Sequence, residues 1–364
     1  MYIGNTDSSG LSHLLFGLIS NSLAEAVAGH GRVVQVTLRT DGAAEVVDDG
    51  RIFPLSETTN GVPSVQRAFT TFSAGARGFS PYQMGWAGSD YGVVTALSER
   101  LDVTVRSPSS RYRQAFHRGV LHAAVESGGP PDDRGLTIVF RPDPLIFGDA
   151  RFDADTIRDR LRDLAFLHSG VRITLVDEAN GTRDEFEYPD GIRDYVRFCT
   201  QSRSPLHPEP IVIRGEEQHV RYEIGLQWCE DEDEIVRSFA NHYYTPTGGT
   251  HYYGLRSGVA TGLGDFVQGS APHLGEVKGE DARTGLTAVV SVWLHEPVFM
   301  GSIRSTLGNP EVEGIVKAAV RNGVRSYLEA NPSAADRIVR AVVMERDLRL
   351  AAKAIRDQKR NRAE

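Results

Sequence analysis

The sequence predicts an α+β protein in two domains. Three features carry that reading. An apolar stripe at three- and four-residue steps opens the chain. Strands and amphipathic helices then succeed one another as far as residue 188, and a proline-rich break is followed by further strands and two long helices. With 364 residues there is enough chain for two ordinary cores.

The stretch FGLISNSLAEAVAGH (Phe16–His30) reads as helix. Leu11, Leu14, Leu15, Leu18, Leu23, Ala26 and Val27 keep the helical period, and Gly29 stands where a helix stops. Gly17, Asn21 and Glu25 are four apart and share a second face. Arg32–Asp49 reads as a hairpin, VVQVTL turning through TDG into AAEVV. Val62–Phe72 is expected to be helical. Ser73–Gly92, with five glycines and one proline and no periodicity, is expected to be a long loop, functional or disordered. A helix is expected over Val93–Glu99, then strands at Leu101–Val105, Arg111–His117 and Thr137–Phe140. Thr156–Phe166 follows as an amphipathic helix with Leu161 and Leu164 inward, and Val171–Val176 and Glu185–Tyr188 as a strand pair.

SRSPLHPEP (Ser202–Pro210) carries three prolines and gives domains at 1–202 and 203–364. Beyond it, Ile211–Ile213 and Val220–Trp228 read as strands, Asp231–Glu234 as an acidic turn and Leu255–Phe266 as helix. Leu286–Leu294 reads as a buried strand, and Val312–Glu329 and Ala334–Asn361 as long helices.

Hydrophobic content of 40% and charged content of 24% suit a globular protein. A net charge of −8 argues against an all-over grip on nucleic acid, although Asp336–Glu364 holds nine Lys/Arg against five Asp/Glu. Cys199 and Cys229 lack metal-ligand spacing, which implies reduced thiols and a cytoplasmic setting. The longest apolar run is too short to cross a membrane, and no signal peptide is read.

MYIG, LSHLLF, NSLAEAVAGH and VVDDGR, followed by GGTH (Gly248–His251), GEDARTGLTAVVSV (Gly279–Val292) and NPSAA (Asn331–Ala335), occur in a telling order. In that order they resemble the N-terminal region of the B subunit of DNA gyrase and its topoisomerase IV counterpart, over nearly the whole chain. The resemblance implies a GHKL (Bergerat) α/β sandwich. A transducer domain like ribosomal S5 domain 2 would follow, ending in a long helix. It also implies ATP or ADP with Mg²⁺ as ligand.

Carried over residue by residue, the resemblance places the family's general base, a glutamate, at Gly17, which has no side chain to polarise water. Glu25, two turns or about 11 Å along the axis, is a poor substitute. The Mg²⁺ ligand falls on Asn21, whose amide oxygen is a hard donor. Adenine recognition falls on Asp48, with Gly50 allowing close approach and Arg51 and Arg113 at the rim. The family's next glycine is Ile52, and its threonine is Leu136, with Thr137 beside it on the opposite strand face. The phosphate-cradling loop is MGWAGSDYG. It keeps Gly85 and Gly88, carries Trp86, and has Asp90 where a third glycine would stand. A glutamine and lysine that reach the γ-phosphate fall on Ser302 and Arg304. The family's N-terminal dimerisation arm precedes the position of Met1, so unless the chain is a fragment the arm is expected to be absent.

These departures converge on one step, hydrolysis. The expectation is a module that binds a nucleotide or a gyrase-inhibitor-like molecule without useful turnover. It would act by pairing with gyrase or topoisomerase subunits or with itself, with no direct DNA grip of its own and no membrane. The alternative is a working ATP-hydrolysing topoisomerase subunit, with Glu25 or a water chain as base and Arg304 in place of the lysine, served by separate DNA-cleaving chains.

Overall fold

The computed structural model describes residues 3–51, 58–59, 61–71, 90–107, 110–128, 134–301 and 304–361. Two compact units emerge, Met1–Gly191 and Ile192–Glu364. Helix Ile192–Thr200 thus falls with the second unit, ahead of the proline-rich stretch.

The first unit opens with α1 (Ser8–Val27). Asp7 caps it, its carboxylate accepting from the Ser9 and Gly10 N–H groups that the first turn leaves unpaired. Leu11, Leu14, Leu15, Leu18, Ile19 and Leu23 are all buried, so the apolar stripe becomes the face packed on the sheet. β1 (Val33–Leu38) and β2 (Ala44–Asp48) form the expected hairpin. A short ribbon of β3 (Thr58–Thr59) and β4 (Val62–Pro63) precedes α2 (Ser64–Thr70). Then come α3 (Asp90–Ala96), β5 (Ser98–Ser107), β6 (Ser110–His117), β7 (Val120–Gly128) and β8 (Gly135–Pro142). α4 (Pro144–Phe147), α5 (Ala154–Leu167), β9 (Arg172–Asp177) and β10 (Thr182–Phe186) complete the unit.

Eight of the described strands make one sheet in the order β10-β9-β1-β2-β8-β5-β6-β7. β1 and β9 are parallel and the other neighbours antiparallel. The register sets Val34, Asp48, Leu136, Val105 and Tyr112 in one row on the face that meets α1.

Three expectations need correction. The helix expected over Val62–Phe72 is α2, Ser64–Thr70, with Val62–Pro63 in strand β4. Helix α3 begins at Asp90 and ends at Ala96, so Asp90–Gly92 is not loop and Glu99 is strand. Thr95 and Ser98 turn their hydroxyls back onto the Tyr91 and Val94 carbonyls as the helix gives way to β5. The rest of the expected glycine loop lies outside the described residues. β7, α4 and α6 (Ile192–Thr200) had no sequence expectation at all.

In the second unit α6 is followed by β11 (Ile211–Glu217), β12 (Val220–Trp228), β13 (Ile235–Ala240), β14 (Tyr243–Tyr244) and α7 (Thr250–Ser270). α8 (Gly279–Ala282), β15 (Leu286–Leu294), β16 (Phe299–Met300), β17 (Thr306–Leu307), α9 (Pro310–Ala330) and α10 (Pro332–Asn361) complete it. The sheet order is β11-β12-β15-β13-β14, and every residue of the central strand β15 is buried. Gly254, Gly258 and Gly262 let α7 lie close against α9. A Cβ on Gly258 would come within 2.7 Å of the Val320 Cβ. Cys199 and Cys229 are free thiols. No helix among the described residues is long and apolar enough to cross a membrane.

Candidate functional site

Asp48 ends β2 and faces α1. It is 6% exposed. Ser22, the residue after Asn21 on α1, donates its hydroxyl to Asp48 Oδ2 at 2.6 Å, and the Gly50 N–H donates to Oδ1 at 3.0 Å. Burial pushes the carboxyl up to about 6. The Ser22 and Gly50 donors pull it back, while the Glu25 and Asp49 charges add to the rise. The result is a desolvated carboxylate with spare acceptor capacity, suited to a planar amine donor. Asp49 has a different task. Its Oδ1 accepts from the Arg32 and Val33 N–H groups at 2.8 and 2.9 Å and closes the hairpin's base.

One turn further along α1, Glu25 Oε2 accepts from the Arg51 backbone N–H at 3.2 Å and from its Nε at 3.0 Å. Glu25 Oε1 is buried with no hydrogen-bond partner among the described residues. Gly50 fits between them because it has no side chain. A Cβ there would sit 2.9 Å from the Glu25 Cβ and 3.1 Å from Asp48 Oδ1. Arg51 is thus anchored to α1 through Glu25.

Behind the sheet lies Arg106, 8% exposed. Its Nη2 donates to the Asp48 main-chain carbonyl at 3.3 Å and its Nη1 to the Thr137 hydroxyl. Ser22, the Glu25–Arg51 pair and Arg106 carried no signal in the sequence. Each gains meaning only through contacts spanning 26 to 58 residues.

The remaining candidates are distributed as follows. Gly17 is buried on α1. Asn21 donates its Nδ2 to the Gly17 carbonyl at 3.0 Å. Arg113 is exposed and pairs with Thr104, on the face of the sheet opposite Asp48. Leu136 stands directly across from Asp48, with Thr137 turned to the other face. Arg304, in the second unit, has φ 56° and stacks its guanidinium 4.4 Å over the Tyr243 ring and 5.6 Å over Phe299. Gly85, Gly88, Trp86, Ile52 and Ser302 lie outside the described residues, and of Asp90 only the backbone is described.

The Asp48 carboxylate is thus a buried acceptor already oriented by two donors. Among the described residues no three His, Cys, Asp or Glu side chains converge on a metal position.

The eight-stranded sheet backed by α1, followed by the sheet-and-helix unit with its long final helix, defines a GHKL ATPase-type sandwich joined to a transducer domain. A family model described as DNA gyrase B matches residues 191–358. The B subunit of DNA gyrase from Clostridium acetobutylicum is 36% identical over 372 residues, covering 100% of this chain and 58% of that protein. The 43K ATPase domain of Thermus thermophilus gyrase B, solved in complex with an aminocoumarin, superposes with a TM-score of 0.84 at 30% identity, covering 98% of this chain and 95% of that one. The B-subunit of the DNA gyrase from Myxococcus xanthus gives 0.80 at 27%, covering 93% and 96%. The chain belongs to the DNA gyrase B family, and it spans 58% of the length of the Clostridium protein.

Proposed function

We propose that this chain is a gyrase-B-type module that binds a nucleotide through its base and does not hydrolyse ATP at a useful rate. Its ATPase-like domain would be 1–202 and its transducer 203–364. It would work in the cytoplasm by engaging ATP, ADP or an inhibitor-like molecule, and by pairing with gyrase or topoisomerase subunits or with a second copy. Asp48, Gly50 and Arg51 would hold the base end, and Asn21 the Mg²⁺. Gly85 and Gly88 would supply what remains of the phosphate contacts within that domain.

One observation carries the reading: the turn of α1 that should present a carboxylate to water presents a buried Gly17. The next carboxylate on that face, Glu25, is tied to Arg51 by its Oε2. Loss of a general base costs about 10²–10⁴-fold in rate. The test is a coupled ATPase assay on the purified chain with Mg²⁺, where turnover should stay far below about one per second. Turnover at or above that rate would defeat the reading.

A second reading, a working topoisomerase ATPase, draws on the unpartnered Oε1 of Glu25, which could accept a proton from water. It requires that Glu25→Gln abolish a measurable wild-type turnover.

A further inference from the structure

We infer that Arg106, reaching from the outer face of the sheet, is the residue that positions Asp48 for reading the 6-amino group of a purine. The inference rests on the reading above that the site takes an adenine base. It extends that reading to a side chain that never touches the ligand.

The register places Arg106 opposite Arg111 and Gly135, one residue out of step with the row that faces α1. Thr104 and Thr137 pair on the same outer face. From there the guanidinium bridges two strands, holding the Asp48 carbonyl on β2 at 3.3 Å and the Thr137 hydroxyl on β8. Two further facts make this a clamp rather than a surface decoration. Arg106 is 8% exposed, and a cation so deeply set is tolerated only where its donors are met. Gly135, at φ +134°, brings β8 so near that a Cβ there would lie 1.9 Å from the Asp48 carbonyl oxygen and 3.0 Å from Arg106 Nη2. The strand end is thereby fixed from behind while Ser22 and Gly50 orient the carboxylate in front.

Discrimination by a single hydrogen bond depends on such fixing, because a carboxylate free to shift a fraction of an ångström accepts many geometries equally. The hydroxyl at 137 belongs to this clamp, and the position facing Asp48 is the apolar Leu136. Asp48 therefore carries base selectivity with little help from its strand neighbour.

The test uses the full chain and two probes, adenosine and purine riboside, which lacks the 6-amino group. Wild type should prefer adenosine by about tenfold, the worth of one hydrogen bond to a charged acceptor. Arg106→Gln should cut that preference to about twofold or less while leaving purine riboside affinity within about twofold. Arg106→Lys, which keeps one donor near the Asp48 carbonyl, should recover part of it. Thermal melts of each variant report folding separately. If both probes weaken equally, or if Arg106→Gln and Arg106→Lys keep the full preference, Arg106 is structural only and the inference falls. If wild type itself shows no preference, the adenine reading falls and takes this inference with it. The wild-type and variant arms thus separate the two failures.

Discussion

The two halves of α1 meet the fold in different ways. Its C-terminal turns send polar side chains to the end of β2 and the segment after it: Ser22 to the Asp48 carboxylate, Glu25 to Arg51. Its middle turn presents Gly17 and an Asn21 amide donating to its own helix. A helix that spends buried polar groups on one end of a pocket holds that end to a defined geometry, since each group left unpaired would cost about 1–3 kcal/mol. A glycine in a helix interior, by contrast, costs about 0.5–1 kcal/mol relative to alanine and contributes no contact. On the reading proposed above, the fold keeps a fixed base-recognition corner at Asp48 beside a catalytic position, Gly17, that has no side chain. On the proposed reading, binding and hydrolysis have come apart within one helix.

The largest expected effect that sharpens this contrast is one of pH. Asp48 has a folded value of about 6 against an ordinary 3.8, so the folded chain keeps its proton longer than the unfolded chain. Its stabilising contribution is full below pH 3.8 and is lost as pH rises through 6, up to about 3 kcal/mol by linkage. Asp48→Asn should flatten that decline in denaturant titrations between pH 4 and 6; an unchanged slope would mean the carboxylate is not the buried titrating group. The second unit supplies an internal contrast of opposite sign. His251, buried with Nε2 against the Thr245 hydroxyl, is held down to about 3 by burial. Its contribution is present above pH 6.5 and is lost as pH falls toward 3, so His251→Gln should ease acid destabilisation of that unit.

Next in size is ligand affinity. Asp48→Ala should weaken adenosine by about 10–100-fold, the range for a hydrogen bond to a charged group, as read by calorimetry. Smaller again is Glu25→Gln. It breaks an ion pair whose arginine side chain is 36% exposed, so the expected loss of stability is about 1–2 kcal/mol in a melt or denaturant curve. A change near zero would mean Arg51 is held by other groups. The smallest effect belongs to the other half of the helix. Gly17→Glu alone should raise ATP turnover by less than about tenfold, well short of the roughly 10²–10⁴ a working base supplies. Robust hydrolysis from that single change would show the phosphate end to be intact.

Local pattern carried much of the fold. The leucine stripe of α1, the TDG hairpin and the largely apolar, fully buried run Leu286–Leu294 each declare themselves within a short stretch of chain. β7 escaped because VLHAAVESG, an edge strand of the sheet, alternates weakly. β13 escaped because its parallel partner β15 lies far later in the chain. α6 spans nine residues, too few for its period to stand out. In the site, Asp48 was singled out by the resemblance of VVDDGR to the family's motif, whereas Arg106 was not singled out at all. Nothing in VTVRSP announces that its arginine passes beneath the sheet to a carbonyl on β2, because only the strand register decides that. Arg113 shows the reverse, a residue singled out by motif whose register sets it on the face away from Asp48.

The contrast between the two halves of α1 is tested most directly by titrating adenosine, ADP and ATP into the chain in Mg²⁺ buffer by calorimetry. Adenosine and ADP are expected to bind at least as tightly as ATP, the base supplying the affinity and the γ-phosphate adding none. ATP binding more than about tenfold tighter than adenosine would contradict the account, because it would mean the triphosphate end of the site still functions.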